Sequence, residues 1–115
     1  MIKKAAELKT AYHKNLRGGN GTVEITNFVT PEELYNKGRL FGNITLRPGC
    51  SIGYHVHENE SELFYLMKGE VLYNDGGSEQ ILRAGDVMLC PAGTGHAIAN
   101  NSEETVEVCA VIVYA

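Results

Sequence analysis

Three of the four histidines, together with one glutamate, have the residue types and spacing of a metal-binding set. His55 and His57 stand two residues apart in a segment with strand character, and side chains two apart on a strand point to the same face. Glu62 follows after the polar bend at residues 58–61, so the next strand can return alongside and add a carboxylate. His96, in a later strand segment, supplies a third imidazole.

Three neutral imidazoles and one carboxylate form a mixed nitrogen and oxygen set that suits manganese, iron, nickel, cobalt or zinc as a divalent ion. Six-coordinate geometry would leave two positions for substrate, water or dioxygen, which predicts a catalytic site and not a closed structural one. Taken singly, each residue has an ordinary alternative interpretation, because histidine pairs occur on surface strands and glutamates on polar bends are usually solvated.

Short β-rich segments separated by glycine-containing turns fill most of the chain and predict an all-β sandwich or barrel. The predicted strands are residues 23–26, 40–46, 52–57, 62–67, 71–73, 80–82, 86–90, 95–99 and 105–114. One short helical turn is predicted up to residue 36, where Thr30 and Glu33 form a capping box around Pro31. Residues 1–20 are expected to form an arm or an edge strand, with a weaker helical alternative at residues 3–8.

Two separated motifs resemble those of the cupin superfamily. The first spans residues 49–69 and contains, in order, Gly49, His55, His57, Glu62 and Gly69. The second spans residues 85–100 and contains Gly85, Pro91, Gly93, His96 and Asn100. The resemblance implies one cupin domain over residues 1–115 with a jelly-roll β-barrel, the double-stranded β-helix. Residues 1–38 would form an N-terminal arm with the short helix, and residues 40–114 the barrel.

The resemblance also implies a function for the four residues. His55, His57, Glu62 and His96 are the expected ligands of a divalent metal ion. The leading hypothesis is a metalloenzyme acting on a small oxygen-bearing metabolite, of the oxygenase, decarboxylase, lyase or isomerase type. The alternative is a non-catalytic module that binds or senses a small molecule or a sugar. A homodimer is expected as well, because small cupins commonly pair and an N-terminal arm could add a strand to a partner's sheet.

The charge pattern narrows the classes of partner. The 115 residues include 10 basic and 14 acidic side chains, for a net charge of −4, which argues against nucleic acid or an anionic membrane. The longest apolar stretch, residues 108–115, is far shorter than the ~20 residues that span a bilayer. The charged N-terminal segment lacks a signal peptide's form, and three cysteines do not suggest a disulfide framework, so a cytoplasmic location is expected.

Other polar residues near the motifs receive structural interpretations. Glu58 and Glu60 are interpreted as a solvated acidic bend, with attraction of cations to the site as the alternative. Arg17 could close over a pocket and bind a carboxylate, but an exposed arm residue is the favoured interpretation. His13 is interpreted as a surface residue, and Asn100 is expected to hydrogen-bond a turn.

Overall fold

The computed structural model describes residues 1–115 and consists of ten strands and three short 3₁₀ turns. The strands are β1 (Thr10–Lys14), β2 (Thr22–Asn27), β3 (Gly38–Leu46), β4 (Ser51–Val56), β5 (Glu60–Lys68), β6 (Glu70–Asp75), β7 (Ser78–Arg83), β8 (Val87–Cys90), β9 (Gly95–Ala99) and β10 (Val106–Tyr114). The 3₁₀ turns are Ala5–Glu7, Leu16–Gly18 and Glu32–Leu34. The nine predicted strands correspond to β2–β10, and β1 forms where an arm or an edge strand was expected.

The strands form two antiparallel sheets that face each other. The six-stranded sheet has the order β1-β2-β3-β10-β5-β8, and the four-stranded sheet has the order β4-β9-β6-β7. This is the predicted all-β jelly-roll architecture, although no backbone ladder joins the two sheets into a closed barrel. None of the helical turns has the length and apolar character that crossing a membrane would need.

The core lies between the sheets and follows from period-two burial along the strands. In β3, β5 and β10, buried residues alternate with exposed or half-buried ones. Because alternate side chains share a face, each strand adds one apolar row to the core. Fifteen buried side chains form this cluster: Val23, Leu40, Ile44, Leu46, Ile52, Phe64, Leu66, Val71, Tyr73, Met88, Ile98, Val106, Val108, Ala110 and Ile112.

One inward position of the six-stranded sheet is charged. Glu62 on β5 pairs with Cys90 of β8 on one side and Ile112 of β10 on the other, and it is only 5% exposed. A carboxylate among apolar neighbours must find polar partners, because an isolated buried charge is very costly. Those partners can come only from across the core, on the side of the four-stranded sheet.

The N-terminal part contains the predicted capping box. The Thr30 amide donates to Glu33 Oε1 at 2.7 Å, and the Glu33 amide donates to Thr30 Oγ1 at 3.2 Å. The turn ends where Tyr35 and Asn36 adopt left-handed backbone angles. β1 pairs with β2 of its own chain, with Thr10 opposite Thr26, and so forms an edge of the six-stranded sheet.

Asn100 has the structural role expected of it. Its side chain is fully buried, and Nδ2 donates to the carbonyl oxygens of Leu46 at 2.8 Å and Glu104 at 2.7 Å. Its Oδ1 accepts from the Ser102 amide at 2.9 Å and from the Ser102 hydroxyl at 2.7 Å. Asn100 therefore ties the loop after β9 to the end of β3.

Replacing Asn100 with alanine should lower the free energy of unfolding by roughly 2–4 kcal/mol, because the buried Leu46 carbonyl would lose its donor and the loop its anchor. Urea unfolding followed by circular dichroism measures the change. Asn101→Ala, at the exposed neighbouring position, is the matched control and should cost less than about 0.5 kcal/mol. Equal losses in the two variants would contradict the anchoring role.

Candidate metal centre

The structure brings the four predicted residues together between the sheets. His55 lies on β4, His57 directly follows β4, Glu62 lies on β5 and His96 on β9. His57 Nε2 is 3.1 Å from His55 Nε2, 3.0 Å from Glu62 Oε1 and 3.1 Å from His96 Nε2. The four potential ligand atoms all lie within 4.8 Å of one another, so the cluster is able to hold a metal ion.

A β-bulge in β4 aims His55 into the core. Along the ladder with β9, Ile52 pairs with Ile98 but His55 pairs with His96, so β4 contains one extra residue. Without this insertion Ile52 and His55, three residues apart, would point to opposite faces of the sheet. With it both side chains point inward. The bulge was not predicted from the sequence, although Gly53 within the strand is a signal of one.

Gly53 also allows a close approach of the backbone. A Cβ on Gly53 would overlap the carbonyl oxygen of Arg17, and a Cβ on Gly19 would overlap the carbonyl oxygen of Ser51. The turn at Leu16–Gly18 can therefore pack directly against β4 only because both positions lack a side chain. This contact places the N-terminal part of the chain beside His55.

Each histidine has a partner for its second ring nitrogen. The Nδ1 atoms lie 2.7 Å from the Gly53 carbonyl oxygen for His55, 2.7 Å from Glu60 Oε2 for His57 and 2.8 Å from the Tyr73 hydroxyl for His96. A carbonyl and a carboxylate only accept, so Nδ1 carries a hydrogen in His55 and His57, which leaves Nε2 as the nitrogen available to a metal ion. In His57 this Nε2 also faces the Glu62 carboxylate, which favours a proton there when no metal ion is bound.

This tautomer pattern fits a metal ion. If the three rings are neutral with their hydrogens on Nδ1, the Nε2 lone pairs about 3 Å apart would repel one another, whereas a cation between them would be bound by all of them. Phe64 stacks on the His96 ring with centroids 5.1 Å apart, and this contact holds the imidazole in place together with the hydrogen bond to Tyr73. The donor atoms present therefore suit a divalent first-row ion.

Glu60 is part of this support, and its interpretation as a solvated acidic residue is wrong. Its side chain is 13% exposed, accepts from His57 and is bound by Arg39, whose Nε and Nη2 donate at 2.9 and 2.8 Å. The hydrogen bond with Arg39 is the largest effect that lowers the pKa of Glu60 to about 2. Glu58 is exposed, as expected. Arg39 lies 21 residues before Glu60, on β3, which is why local sequence did not reveal the pair.

The electrostatics of the cluster favour the metal-binding forms of Glu62 and His55 but oppose that of His57. Burial would raise the pKa of Glu62, but hydrogen bonds with His57 and His96 together lower it, so the carboxylate is ionised at neutral pH. Burial lowers the pKa of His55 and favours the neutral ring. The hydrogen bond with Glu62 raises the pKa of His57, so a proton and a metal ion would compete for its Nε2.

A cavity of about 340 Å³ lies beside the cluster. Its fifteen lining residues are Lys9, Ala11, His13, Leu16, Arg17, Ile25, Asn27, Arg39, Leu40, Ile44, Ile52, His55, His57, Glu62 and Ile112. Glu62 is the one carboxylate among them, whereas Lys9, His13, Arg17 and Arg39 bring basic groups. The cavity is thus polar and basic on one part of its wall and apolar on the rest.

Two N-terminal residues line the cavity, and one of them differs from its sequence interpretation. His13 is half-buried and lines the cavity, so its interpretation as a surface residue is wrong. Arg17 is exposed, as expected, but it also lines the cavity. Alternation along β1 turns residues 9, 11 and 13 toward the same side. Alternation alone does not say which side of β1 faces the cavity, and the pairing of β1 with β2 is needed to decide it.

Comparison with known proteins gives the family. The cupin domain family model matches residues 42–114. The chain belongs to the cupin family. A protein of Thermotoga maritima named oxalate-binding protein is 37% identical to this cupin over 113 residues, which cover 98% of this chain and 93% of the relative.

Solved structures agree with the fold of this cupin. A Thermotoga maritima crystal structure, described as a predicted oxalate decarboxylase, superposes with a TM-score of 0.95 at 36% identity and covers 100% of both chains. The cupin domain of Schizosaccharomyces pombe Cnp3 has a TM-score of 0.73 at 11% identity, over 91% of this chain and 69% of that one. The second likeness supports the fold alone.

The support of His57 by Glu60 can be tested by Glu60→Gln. This variant keeps the shape of the side chain but removes the charge that binds Arg39 and orients His57, so affinity for Mn²⁺ or Co²⁺ should fall about 10- to 100-fold. Titration of metal-free protein by calorimetry measures the change. Glu58→Gln, at the exposed neighbouring glutamate, is the control and should bind metal as the wild type does. Unchanged affinity in Glu60→Gln would show that Glu60 does not support the cluster.

Proposed function

We propose that this cupin binds a divalent metal ion through His55, His57, Glu62 and His96, and that it binds a small carboxylate of the oxalate type at that centre. The observation that supports this best is the cavity, which joins the four-residue cluster to four basic side chains in a chain of net charge −4. A bound ion would act there as a Lewis acid toward carboxylate oxygens. The donor set suits manganese, iron, cobalt, nickel or zinc.

Arg39 is the basic residue best prepared to bind such an acid. Glu60 occupies its Nε and one Nη2 position, so the remaining guanidinium hydrogens are free for a second carboxylate in the cavity that Arg39 lines. Glu60 also accepts from His57. One carboxylate thus orients both a proposed metal ligand and a proposed anion-binding residue.

The similarity to the Thermotoga maritima protein supports the class of ligand. That relative is named for oxalate binding, and the alignment covers nearly the whole of both chains. Oxalate is a small dianion whose oxygens can chelate a metal ion, and a basic cavity favours such a ligand over neutral sugars. We therefore prefer an acid to a sugar as the small molecule.

A second candidate is that the bound acid is also converted, as the metalloenzyme hypothesis expects. The observation in its favour is the 36% identity over the whole chain to a structure described as a predicted oxalate decarboxylase. Cleavage of the carbon–carbon bond of oxalate would release carbon dioxide, and the remaining carbon would take up one proton to give formate. Binding without conversion is the simpler proposal.

The proposed ligands can be tested with His57→Ala and Glu62→Gln. After removal of metal and reloading with Mn²⁺, the wild type should bind the ion and then oxalate, whereas both variants should lose more than about 100-fold in metal affinity. Elemental analysis and calorimetry measure the two steps, with Glu79→Gln on the exposed part of β7 as the control. Equal metal content in wild type and both variants would show that the four residues are not the ligand set.

The same samples separate binding from conversion. Oxalate is incubated with the loaded protein under air and under nitrogen, and formate and carbon dioxide are assayed. Metal-dependent formation of formate would show that the protein is an enzyme. Saturable binding of oxalate without product would leave binding as its function, and binding of oxalate by the metal-free protein with equal affinity would contradict the proposal.

We also propose that the cupin forms a homodimer through the outer face of the six-stranded sheet. On that face Leu63 of β5 lies opposite Leu89 of β8, and Tyr65 lies opposite Val87. These four side chains are 36–65% exposed and form a continuous apolar patch, which on a monomer marks an interaction site. Two-fold pairing would bury the same patch on both copies. Since β1 already pairs within its own chain, we place the contact on the sheet face and not on an exchanged arm.

Leu89→Lys should shift the protein from dimer to monomer, because a charge would replace an apolar contact at the centre of the patch. Light scattering should give twice the chain mass of 12.6 kDa for the wild type and 12.6 kDa for the variant. Ile81→Lys changes an apolar residue of similar exposure on the other sheet and should leave the dimer intact. A wild-type mass of 12.6 kDa at all concentrations would refute the homodimer.

A further inference from the structure

We infer that Lys9, His13 and Arg17 form a second anion-binding site in the cavity, so that the preferred ligand is an acid with a carboxylate beyond the group held at the metal centre. This inference rests on the proposed function and narrows its ligand class to dicarboxylic acids with a carbon chain between the two anionic ends.

The three basic side chains have no partner in the structure. The other arginines all bind carboxylates: Arg39 binds Glu60, Arg47 binds Glu24, and Arg83 binds Glu70. Arg17 makes no ion pair or side-chain hydrogen bond, and the same is true of the side chains of Lys9 and His13. The positive charges of Lys9 and Arg17 raise the local potential, and the His13 ring can add a hydrogen bond, so this wall would attract an anion.

The backbone holds Arg17 close to the metal centre. The Arg17 carbonyl packs directly on Gly53, two residues before His55, and the residue adopts a left-handed conformation with φ of 54°. Such a conformation is unusual for a residue with a side chain and persists only where the surrounding structure holds it. Arg17 therefore lies on a fixed turn that packs against the strand bearing His55, and both residues line the same cavity.

Apolar side chains line the cavity along the strands between these two groups. In the six-stranded sheet, β2, β3 and β10 lie between β1, which bears His13, and β5, which bears Glu62. These three strands line the cavity with Ile25, Ile44 and Ile112. Such a wall can pack against the methylene groups of a longer acid. Oxalate has no methylene group and would gain no such contact.

The size of the cavity agrees with a ligand larger than oxalate. Its volume of about 340 Å³ falls within the range of roughly 300–1,000 Å³ in which proteins bind drug-sized molecules. Oxalate has only six non-hydrogen atoms. A 2-hydroxy diacid of four or five carbons would bring a chelating hydroxyl and carboxylate to one end and a free carboxylate to the other.

The test compares acids that differ by one carboxylate, using protein loaded with Mn²⁺ and calorimetry. The pairs are 2-hydroxybutanedioate with 2-hydroxybutanoate and 2-hydroxypentanedioate with 2-hydroxypentanoate, and oxalate is the reference. In at least one pair the diacid should bind about tenfold or more tightly than its monoacid. Arg17→Gln and His13→Gln should each reduce this advantage to less than about threefold, and each should weaken binding of the diacid by a larger factor than binding of oxalate.

Two further variants control for charge and for folding. Lys14→Gln removes a neighbouring exposed charge that does not line the cavity, and it should keep the full advantage of the diacid. Arg17→Lys retains a positive charge on the same turn and should keep part of the advantage, which a merely structural role of Arg17 would not produce.

The outcomes separate this inference from the proposed function. Equal affinities within both pairs, with oxalate still bound, would overturn the inference and leave the proposed function in place. Equal losses for oxalate and diacid in Arg17→Gln would also overturn it, because Arg17 would then serve the oxalate site itself. If the loaded wild type binds neither oxalate nor any diacid, the proposed function fails and the inference fails with it.

Discussion

A carboxylate buried among apolar side chains is the constraint on which the site depends. Glu62 lies between Cys90 and Ile112 on the inner face of the six-stranded sheet, where its two neighbours across the ladders are apolar. Desolvation of an ionised carboxylate is costly, so the fold must supply donors or a cation within reach. His57 and His96 supply them from the opposite sheet, at 3.0 and 3.1 Å. The centre is therefore also the polar contact that joins the two layers.

Neutralising Glu62 requires precise ring orientations, and these come from groups outside the cluster. The Gly53 carbonyl, Glu60 and the Tyr73 hydroxyl each hold one histidine by Nδ1. Arg39 in turn fixes Glu60, so the orientation of one imidazole depends on β3, at a distance of 21 residues along the chain. Rigid outer partners of this kind limit the geometries that the ligand atoms can adopt.

The fold and the four clustered residues were predictable because their signals are local. Alternation placed β2–β10, and the two-residue spacing of His55 and His57 indicated a shared face. Glu62 was expected on a strand returning alongside, but β5 does not pair with β4 and brings Glu62 from the opposite sheet. The bulge in β4, the pair of Glu60 with Arg39, and the inward side chain of His13 were not predicted. Each depends on the register between strands or on contacts far apart in sequence, and neither can be obtained from residue spacing alone.

Because the N-terminal turn packs on β4, the walls of the cavity come from two separate parts of the chain. Nine of the fifteen lining residues precede residue 42, where the match to the cupin domain begins, whereas His55, His57 and Glu62 lie within it. Substitutions at Lys9, His13 or Arg17 could therefore change which acid is accepted without disturbing the residues that would hold the ion, whereas Arg39 also supports His57 through Glu60. In evolutionary terms, selectivity and metal affinity can drift separately in this small protein, except at Arg39, which serves both.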